Sequence, residues 1–217
     1  MRDSRTIQVL AGVVTLSALV VAYLSSQGGL PPSTNPKPHE AAGAILARQA
    51  LSLLKPGGKI IAITRDTATF KNPATDFQLA SFKKALGAAH ATIGTLQLLQ
   101  VDPLHPLELP AGDFLQLTRN APAGSVLVSF IGPPVLNEAQ RKQAGELKPA
   151  IVAFCSGAAP DLIDLRGLFD LGLLQAAVVS RRNPQSSPQP NNLQAWFDQY
   201  FMAITSANLA DLGSRSP

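Results

Sequence analysis

The chain has 217 residues, enough for one well-buried domain with short extensions, and only 15% of them are charged. The net charge is +4 and the sequence pI is about 9.5, and the basic residues are scattered along the chain. No dense basic run with interleaved aromatic residues occurs, which argues against nucleic-acid binding. The single cysteine, Cys155, excludes an intrachain disulfide.

An apolar segment lies close to the N-terminus. Residues 6–24 carry no charged side chain, and a helix of that length spans the roughly 30 Å core of a bilayer. Arg2 and Arg5 precede it, so we expect cytoplasmic residues 1–5, a single-pass signal anchor in the inner or plasma membrane, and a periplasmic remainder. A cleaved signal peptide is the alternative, although no small-x-small site follows Ala22. A lipoprotein is excluded, because no cysteine lies near residue 25.

Beyond this segment, the chain divides into a linker, a domain and a tail. Residues 25–37 are rich in Ser, Gly and Pro and are predicted to be a linker, residues 38–205 the domain, and residues 206–217 a flexible tail. The domain begins with a helix from Pro38 that ends at the run Lys55-Pro56-Gly57-Gly58. After it we predict strands at 59–65, 91–101, 125–132, 150–156 and 175–181, alternating with helices at 73–89, 112–122, 136–147, 161–173 and 192–205.

The alternation of strands and helices predicts an α/β fold. The apolar runs at 126–131, 150–155 and 176–179 are typical of parallel strands that are buried on both faces. We therefore expect a doubly wound, five-stranded parallel sheet, preceded by the transmembrane helix. The predicted strand order is 2-1-3-4-5, as in flavodoxin-like folds.

The run from Leu53 to Asp66 resembles a late motif of class I methyltransferases, in which a helix ending in Leu-Lys-Pro-Gly-Gly leads into a buried strand. Those enzymes carry a glycine-rich cofactor loop and an acidic strand end upstream of that turn, and neither occurs here. We therefore interpret Pro56-Gly57-Gly58 as a helix stop, because glycine adopts positive φ at little cost. No cofactor is predicted.

Other catalytic motifs are missing as well. Neither a nucleotide-binding glycine loop nor a zinc-protease or serine-hydrolase motif is present. His39, His90 and His105 lie far apart in the sequence, so no metal site is predicted. Cys155 ends a predicted strand without an assignable base, and cysteines buried in strands are mostly inert. We predict no catalytic residue and no enzyme activity, with a cryptic Rossmann-like enzyme as an alternative.

The candidate site follows from position in the sheet. In open α/β sheets, ligands bind outside the carboxyl ends of the strands where the strand order reverses, here between strands one and three. The loops at the strand ends predict the ligand-binding residues Thr64, Arg65, Asp66, Thr67, Gly132, Pro133, Ser156, Gly157, Arg181 and Arg182. Alternatively, Arg65 pairs locally with Asp66 and the two later arginines, which could otherwise meet an anion, are solvated.

Three segments resemble one lobe of the type 1 periplasmic binding proteins, the substrate-binding components of ABC transporters. They are GGKIIAITRD with DFQLASFKKALGAAHATIG, then GSVLVSFIGPP, and finally KPAIVAFCSGAAPDLIDLRGLFDLGLLQAAVVSRRNP. The resemblance covers residues 58–205 and is one of pattern, shared with response-regulator-like and flavodoxin-like domains. It implies binding without catalysis. That family clamps its ligand between two lobes, so the single lobe here implies that a second copy, in a homodimer, or a partner protein supplies the other wall.

The sequence thus predicts a membrane-anchored, exported module that recognises a small solute or a partner protein, as a sensor or transport accessory. A structural or assembly protein of the cell envelope is the alternative from a different class. A part-polar pocket at the exits of strands one and three would favour the first function. A contiguous apolar surface away from those exits would favour the second.

Overall fold

The structure, a computed structural model, describes residues 34–68, 71–100, 109–144, 149–157, 159–182, 184 and 190–215. From Asn35 onward these residues form one compact unit. Its helices are α1 (Pro36–Leu53), α2 (Pro73–Ala88), α3 (Ala111–Asn120), α4 (Glu138–Ala144), α5 (Ala159–Leu162), α6 (Leu165–Asp170) and α7 (Leu193–Tyr200). The strands are β1 (Ile60–Arg65), β2 (Ile93–Leu99), β3 (Val126–Ser129), β4 (Ala150–Cys155), β5 (Ala176–Ser180) and β6 (Phe201–Thr205).

The strands form one sheet in the order β2-β1-β3-β4-β5-β6. The first five run parallel, as predicted, with Ile60 opposite Val126 at the centre of the sheet. The carboxyl ends of β1 and β3 are therefore neighbours, while the chain leaves β1 toward β2 on one side and β3 toward β4 on the other. This is the reversal of strand order that the sequence predicted.

The prediction of five strands was wrong, because the sheet has a sixth. Residues 201–205 were predicted as the end of the closing helix 192–205, but α7 stops at Tyr200 and β6 pairs antiparallel with β5. Phe201 and Ile204 are both buried, one in each of the two apolar clusters that flank the sheet. Aromatic and β-branched residues favour strands, and the open edge of β5 supplies hydrogen-bond partners that a longer helix would leave unused.

Several element boundaries also differ from the prediction. α1 begins at Pro36 instead of Pro38, because the side chain of Asn35 caps it by accepting from the backbone N–H of Lys37 at 3.1 Å. The helix predicted at 161–173 is two short helices, and Asp164 caps the second by accepting from the N–H of Gly167 at 2.9 Å. Beyond β6, residues Ser206–Arg215 form short 3-10 turns that bend at Asn208.

The predicted membrane segment, residues 6–24, lies outside the described residues, as do residues 25–33 of the predicted linker. Within the part of the chain that the structure describes, no helix is both long and apolar enough to cross a bilayer.

Two apolar layers cover the sheet. On one face, α1, α2 and α7 pack against Ile60, Ala62, Val126 and Val128 through a cluster that includes Leu46, Phe82, Leu86, Trp196 and Phe197. On the other face, a second cluster surrounds Ile63, Leu127 and Ile151 and includes Phe114, Leu165, Leu168 and Leu174. The burial of each such Leu, Ile or Phe side chain contributes about 1.5–3 kcal/mol to the stability of the fold. The central strands are therefore held rigidly on both sides.

The amino edge of the sheet is built by two glycine turns. Gly57 has φ +80° and Gly124 has φ +81°, so both adopt the left-handed conformation that glycine tolerates. A Cβ on Gly58 would overlap the backbone of Gly124, and the N–H of Lys55 donates to the carbonyl of Gly124 at 3.0 Å. The helix ends at Leu53, just before the predicted stop, and Pro56-Gly57-Gly58 forms the turn that leads into β1. The turn also joins β1 to β3.

We expect Gly43→Ala to lower the free energy of unfolding by roughly 1–3 kcal/mol, since a Cβ there would overlap the backbone carbonyl of Gln78 where α1 crosses α2. Gly87→Ala is the matched control on the exposed surface of α2, where a Cβ meets nothing within 4 Å. Gly87→Ala should raise the free energy of unfolding by up to about 1 kcal/mol, because alanine is the better helix former. Thermal denaturation of both variants measures the difference, and equal melting temperatures would contradict the close helix crossing.

Candidate functional site

The exits of β1 and β3 lie side by side at the carboxyl edge of the sheet. The N–H of Phe130 donates to the carbonyl of Ile63 at 2.8 Å, and the N–H of Asp66 donates to the carbonyl of Leu99 at 2.8 Å. These bonds place Thr64 and Arg65 between β2 and β3, at the reversal of strand order. The predicted residues of the first loop are therefore where open α/β sheets hold ligands.

Thr64 carries a buried polar group without a partner. The residue is only 1% exposed, and its Oγ1 has no hydrogen-bond partner among the residues that the structure describes. A buried hydroxyl left unpaired costs about 1–3 kcal/mol, and native proteins rarely keep one without a reason. Thr64 is thus a donor and acceptor held in place at the strand exit.

Arg65 follows Thr64 as the last residue of β1 and is half-buried; because successive strand residues alternate, its side chain leaves the opposite face of the sheet. Its Nε also lacks a hydrogen-bond partner within the described ranges. Burial lowers the pKa of the guanidinium, because desolvation penalises the charged form. Arginine stays protonated in proteins nevertheless, so the residue presents a cation with unused donors at this edge.

The next two residues bind within their own loop. Asp66 Oδ1 accepts from the N–H of Ala68 at 2.9 Å, which closes a local turn, and Thr67 donates its hydroxyl to Asp76 Oδ1 at 2.9 Å. Asp76 lies in the first turn of α2. The local pairing of Arg65 with Asp66 that we considered does not occur among the described ion pairs. Asp66 and Thr67 shape the loop, and among the described residues no acidic side chain pairs with Arg65.

The exit of β3 is a tight, buried turn. Ser129 is 0% exposed and donates its hydroxyl to the carbonyl of Gly132, which has φ +95°. Pro133, which follows, is also buried. Gly132 and Pro133 therefore form a rigid turn after β3, and a side chain at position 132 would be strained.

The exits of β4 and β5 form a second, separate group. The N–H of Gly157, next to the exposed Ser156, lies 3.3 Å from Ser180 Oγ, and Arg182 pairs with Asp161 at 3.0 Å. Arg181 donates its Nε to the carbonyls of Asp198 and Phe201, at 2.7 and 3.1 Å. The structure thus brings Thr64 and Arg65 to the reversal of strand order next to the exit of β3, with Asp66 and Thr67 turned toward β2 and α2, and it places the last four predicted residues at the exits of β4 and β5.

A cavity of about 490 Å³ lies beside β6. Its walls come from the end of β5, α7, β6 and the 3-10 turns, and consist of Arg181, Gln194, Phe197, Asp198, Met202, Ala203, Asn208 and Asp211. Gln194 Nε2 already donates to Asp198 Oδ1 at 2.9 Å, and Asn208 Nδ2 donates to the carbonyl of Ala203 at 2.9 Å. Of the lining residues the sequence predicted only Arg181, because β6 was taken for helix. This cavity is not at the exits of β1 and β3.

Groups suited to metal or covalent chemistry are not assembled in the described part of the chain. No cluster of three or more His, Cys, Asp or Glu side chains occurs there. His39 lies in α1, where burial lowers its pKa, and His90 precedes β2 with φ +56°. Cys155 is fully buried at the end of β4. His105 lies outside the described residues.

Comparison with known proteins identifies the fold. No family model and no curated protein matches the chain. A sugar-binding protein of a sugar ABC transporter from Bacillus halodurans is similar in structure, with a TM-score of 0.52 and 16% identity over 80% of this chain and 64% of its own. An ABC transporter solute-binding protein from Burkholderia graminis, in complex with D-arabinose, gives a TM-score of 0.50 and 19% identity over 79% of this chain and 61% of its own.

These likenesses confirm the resemblance to a lobe of the type 1 periplasmic binding proteins at the level of the fold. The chain spans 51–61% of the length of three of the structures it matches.

We expect Thr64→Val to leave stability unchanged or to raise it by about 1 kcal/mol, because the substitution removes an unpaired buried hydroxyl and keeps the shape. Thr118→Val is the matched control. Thr118 is 2% exposed, and its hydroxyl donates to the carbonyl of Phe114 at 2.8 Å. The free energy of unfolding of the Thr118→Val variant should fall by about 1 kcal/mol. Urea denaturation measures both, and an equal loss in the two variants would show that Thr64 is paired.

Proposed function

We propose that this chain is a non-catalytic binding lobe that recognises a small polyhydroxylated solute at the exits of β1 and β3. The observation that supports this function most is the 1% exposed hydroxyl of Thr64 at the exit of β1, which has no hydrogen-bond partner among the residues that the structure describes. Polar groups left unsatisfied at a ligand-binding edge are what a ligand with its own hydroxyls would complete.

The chemistry of Thr64 and Arg65 fits a sugar or polyol. A hydroxyl of the solute can donate to or accept from Thr64, and where the solute extends over the end of β1 another hydroxyl can accept from the guanidinium of Arg65. The two solved structures described above agree with this class, one being a sugar-binding protein and the other a complex with D-arabinose. The rigid turn at Gly132 and Pro133 would limit the size of the solute on the β3 side.

One lobe alone covers one side of a solute. A second copy or a partner protein would supply the opposite wall, and until it does we expect weak, rapidly reversible binding, because little of the solute is removed from water. The role that follows is transport accessory or sensor, with the lobe exported and held at the membrane by residues 6–24.

An assembly role in the cell envelope is the second candidate function. It is favoured by the two exposed leucines of β2, Leu96 and Leu98, which lie on the edge strand away from the exit loop of β3. The two functions can be distinguished by whether a small solute raises the melting temperature of the protein.

We expect at least one pentose, hexose or inositol to raise the melting temperature of the full chain in mild detergent. A ligand at 100 times its Kd stabilises by about 2.7 kcal/mol. Amino acids and nucleotides serve as comparison solutes. If no solute of any class shifts the melting temperature, while the protein captures a defined envelope protein, the solute-binding function is wrong and the assembly function is favoured.

For a solute found in this way, Arg65→Lys should weaken binding roughly 10- to 100-fold, because hydrogen bonds to a charged group contribute about 1.5–3 kcal/mol and lysine lacks the planar fork. Arg119→Lys, at an exposed position near the end of α3, is the matched control and should bind normally. Calorimetric titration gives both affinities. Equal affinity in the two variants would exclude Arg65 from the site.

The full chain should fractionate with membranes and resist extraction by alkaline carbonate, whereas a chain lacking residues 6–24 should not. Intact-mass measurement of the native protein serves as the control, since a retained segment 6–24 gives the mass of the uncleaved chain. A mature protein that lacks this segment and is recovered in the soluble fraction would contradict the anchor.

A further inference from the structure

The two edges of the sheet differ in how their backbone groups are used. At β6, the carbonyl of Phe201 accepts from Arg181 Nε at 3.1 Å and the carbonyl of Ala203 accepts from Asn208 Nδ2 at 2.9 Å. The N–H of Thr205 donates to Asn208 Oδ1 at 2.7 Å. Side chains thus occupy the outward groups of this strand, which prevents another strand from pairing there.

At the other edge, the described residues of β2 lack the charged side chains and the proline that often protect an edge strand, and its bulge lies at the start of the strand, next to Ile93. The segment from Ala85 to Val101 contains no Asp, Glu, Lys, Arg or Pro. Leu96 is 38% exposed and Leu98 is 50% exposed, although both belong to a strand of the central sheet. An exposed, uncharged edge of this kind favours pairing with another strand.

The direction of the backbone shows which residues are free to pair. The carbonyl of Leu99 accepts from Asp66, so Leu99 directs its backbone groups toward β1. Because successive residues of a strand alternate, Leu96 and Leu98 direct theirs outward. A register shift next to Ile93 leaves the segment from Thr95 to Leu99 in regular pairing with β1. In this segment the outward backbone groups therefore follow the alternation of a regular strand.

We propose that β2 pairs antiparallel with β2 of a second copy of this chain, about a two-fold axis that passes through Gln97. In this register Leu96 of each copy lies opposite Leu98 of the other, and the two residues exchange their outward backbone hydrogen bonds. Thr95 lies opposite Leu99, and Gln97 lies opposite Gln97 of the second copy.

The pattern of β2 is complementary to itself in this register. Leu96 and Leu98 lie on one face of the strand, so four leucines form one apolar row across the axis, and their exposed surface becomes buried. On the other face, two glutamine amides meet and can hydrogen-bond to each other. No like charges are brought together, because the segment has none. A charged or irregular partner strand would match this edge less well than a second copy does.

The pairing is independent of the proposed solute site. Antiparallel strands point in opposite directions, so the carboxyl edges of the two sheets face away from each other. Each copy keeps its own Thr64 and Arg65, and the dimer does not supply the missing second lobe. Failure of the solute screen and failure of the dimer experiment are therefore separate results.

The register is tested by cross-linking the full chain in mild detergent. In the proposed pair, the Cα atoms of the two Gln97 residues are about 4.5 Å apart, within the range of a disulfide. Gln97→Cys should therefore give a covalent dimer under mild oxidation. Thr95→Cys is the control on the same face. The two introduced cysteine side chains would be separated by four residues along the strand, or about 13 Å, and should not cross-link although the chains still pair. The native Cys155 is fully buried and is present in both variants.

Leu98→Lys tests the apolar row without disturbing the core. We expect the dimer dissociation constant to rise at least tenfold in sedimentation equilibrium, while the melting temperature changes little. Leu162→Lys, at a position 77% exposed in α5, should dimerise normally. The proposal is overturned if the wild-type chain is monomeric at all concentrations, if Leu98→Lys dimerises as well as wild type, or if the two cysteine variants cross-link equally.

Discussion

The close approach of Gly58 to the backbone of Gly124 is the constraint on which the rest of the structure depends. It leaves no space for a Cβ and joins the turn before β1 to the turn before β3. The N–H of Lys59 then donates to the buried hydroxyl of Ser125 at 3.0 Å. The register that follows places Ile60 opposite Val126 and Ile63 opposite Ser129. The position of Thr64 beside the β3 exit is a consequence of contacts made at the opposite end of the strands.

The two ends of the sheet therefore have different roles. At the amino edge, polar groups are paired: Ser125 accepts from Lys59 through its hydroxyl and from the N–H of Ala150 through its carbonyl. At the carboxyl edge, Thr64 and Arg65 keep polar atoms that nothing in the described chain satisfies. Unpaired groups of this kind lower stability and persist where the surrounding structure holds them. The rigid amino edge and the two apolar layers supply that support.

The strands and their order were predictable, because buried apolar runs separated by amphipathic helices leave few arrangements of a parallel sheet. The sixth strand was not, since Phe201–Thr205 continues the apolar stripe of α7 and only the open edge of β5 selects a strand there. The expected place of ligands in such a sheet was enough to select Thr64 and Arg65 as candidate ligand-binding residues. The sequence could not show that their polar atoms are unpaired, or that Arg181 binds the carbonyls of Asp198 and Phe201, because both depend on contacts between distant segments.

Arg181 and Asn208 occupy outward backbone carbonyls of β6 with hydrogen bonds, and this has a consequence for the size of any assembly. A sheet with two open edges can add copies at both sides and grow into a filament, whereas a sheet with one open edge stops after a single two-fold pairing. These two side chains would thus act as terminators of polymer growth. Without them both edges of the sheet would offer unpaired backbone groups, and pairing would no longer be limited to two copies.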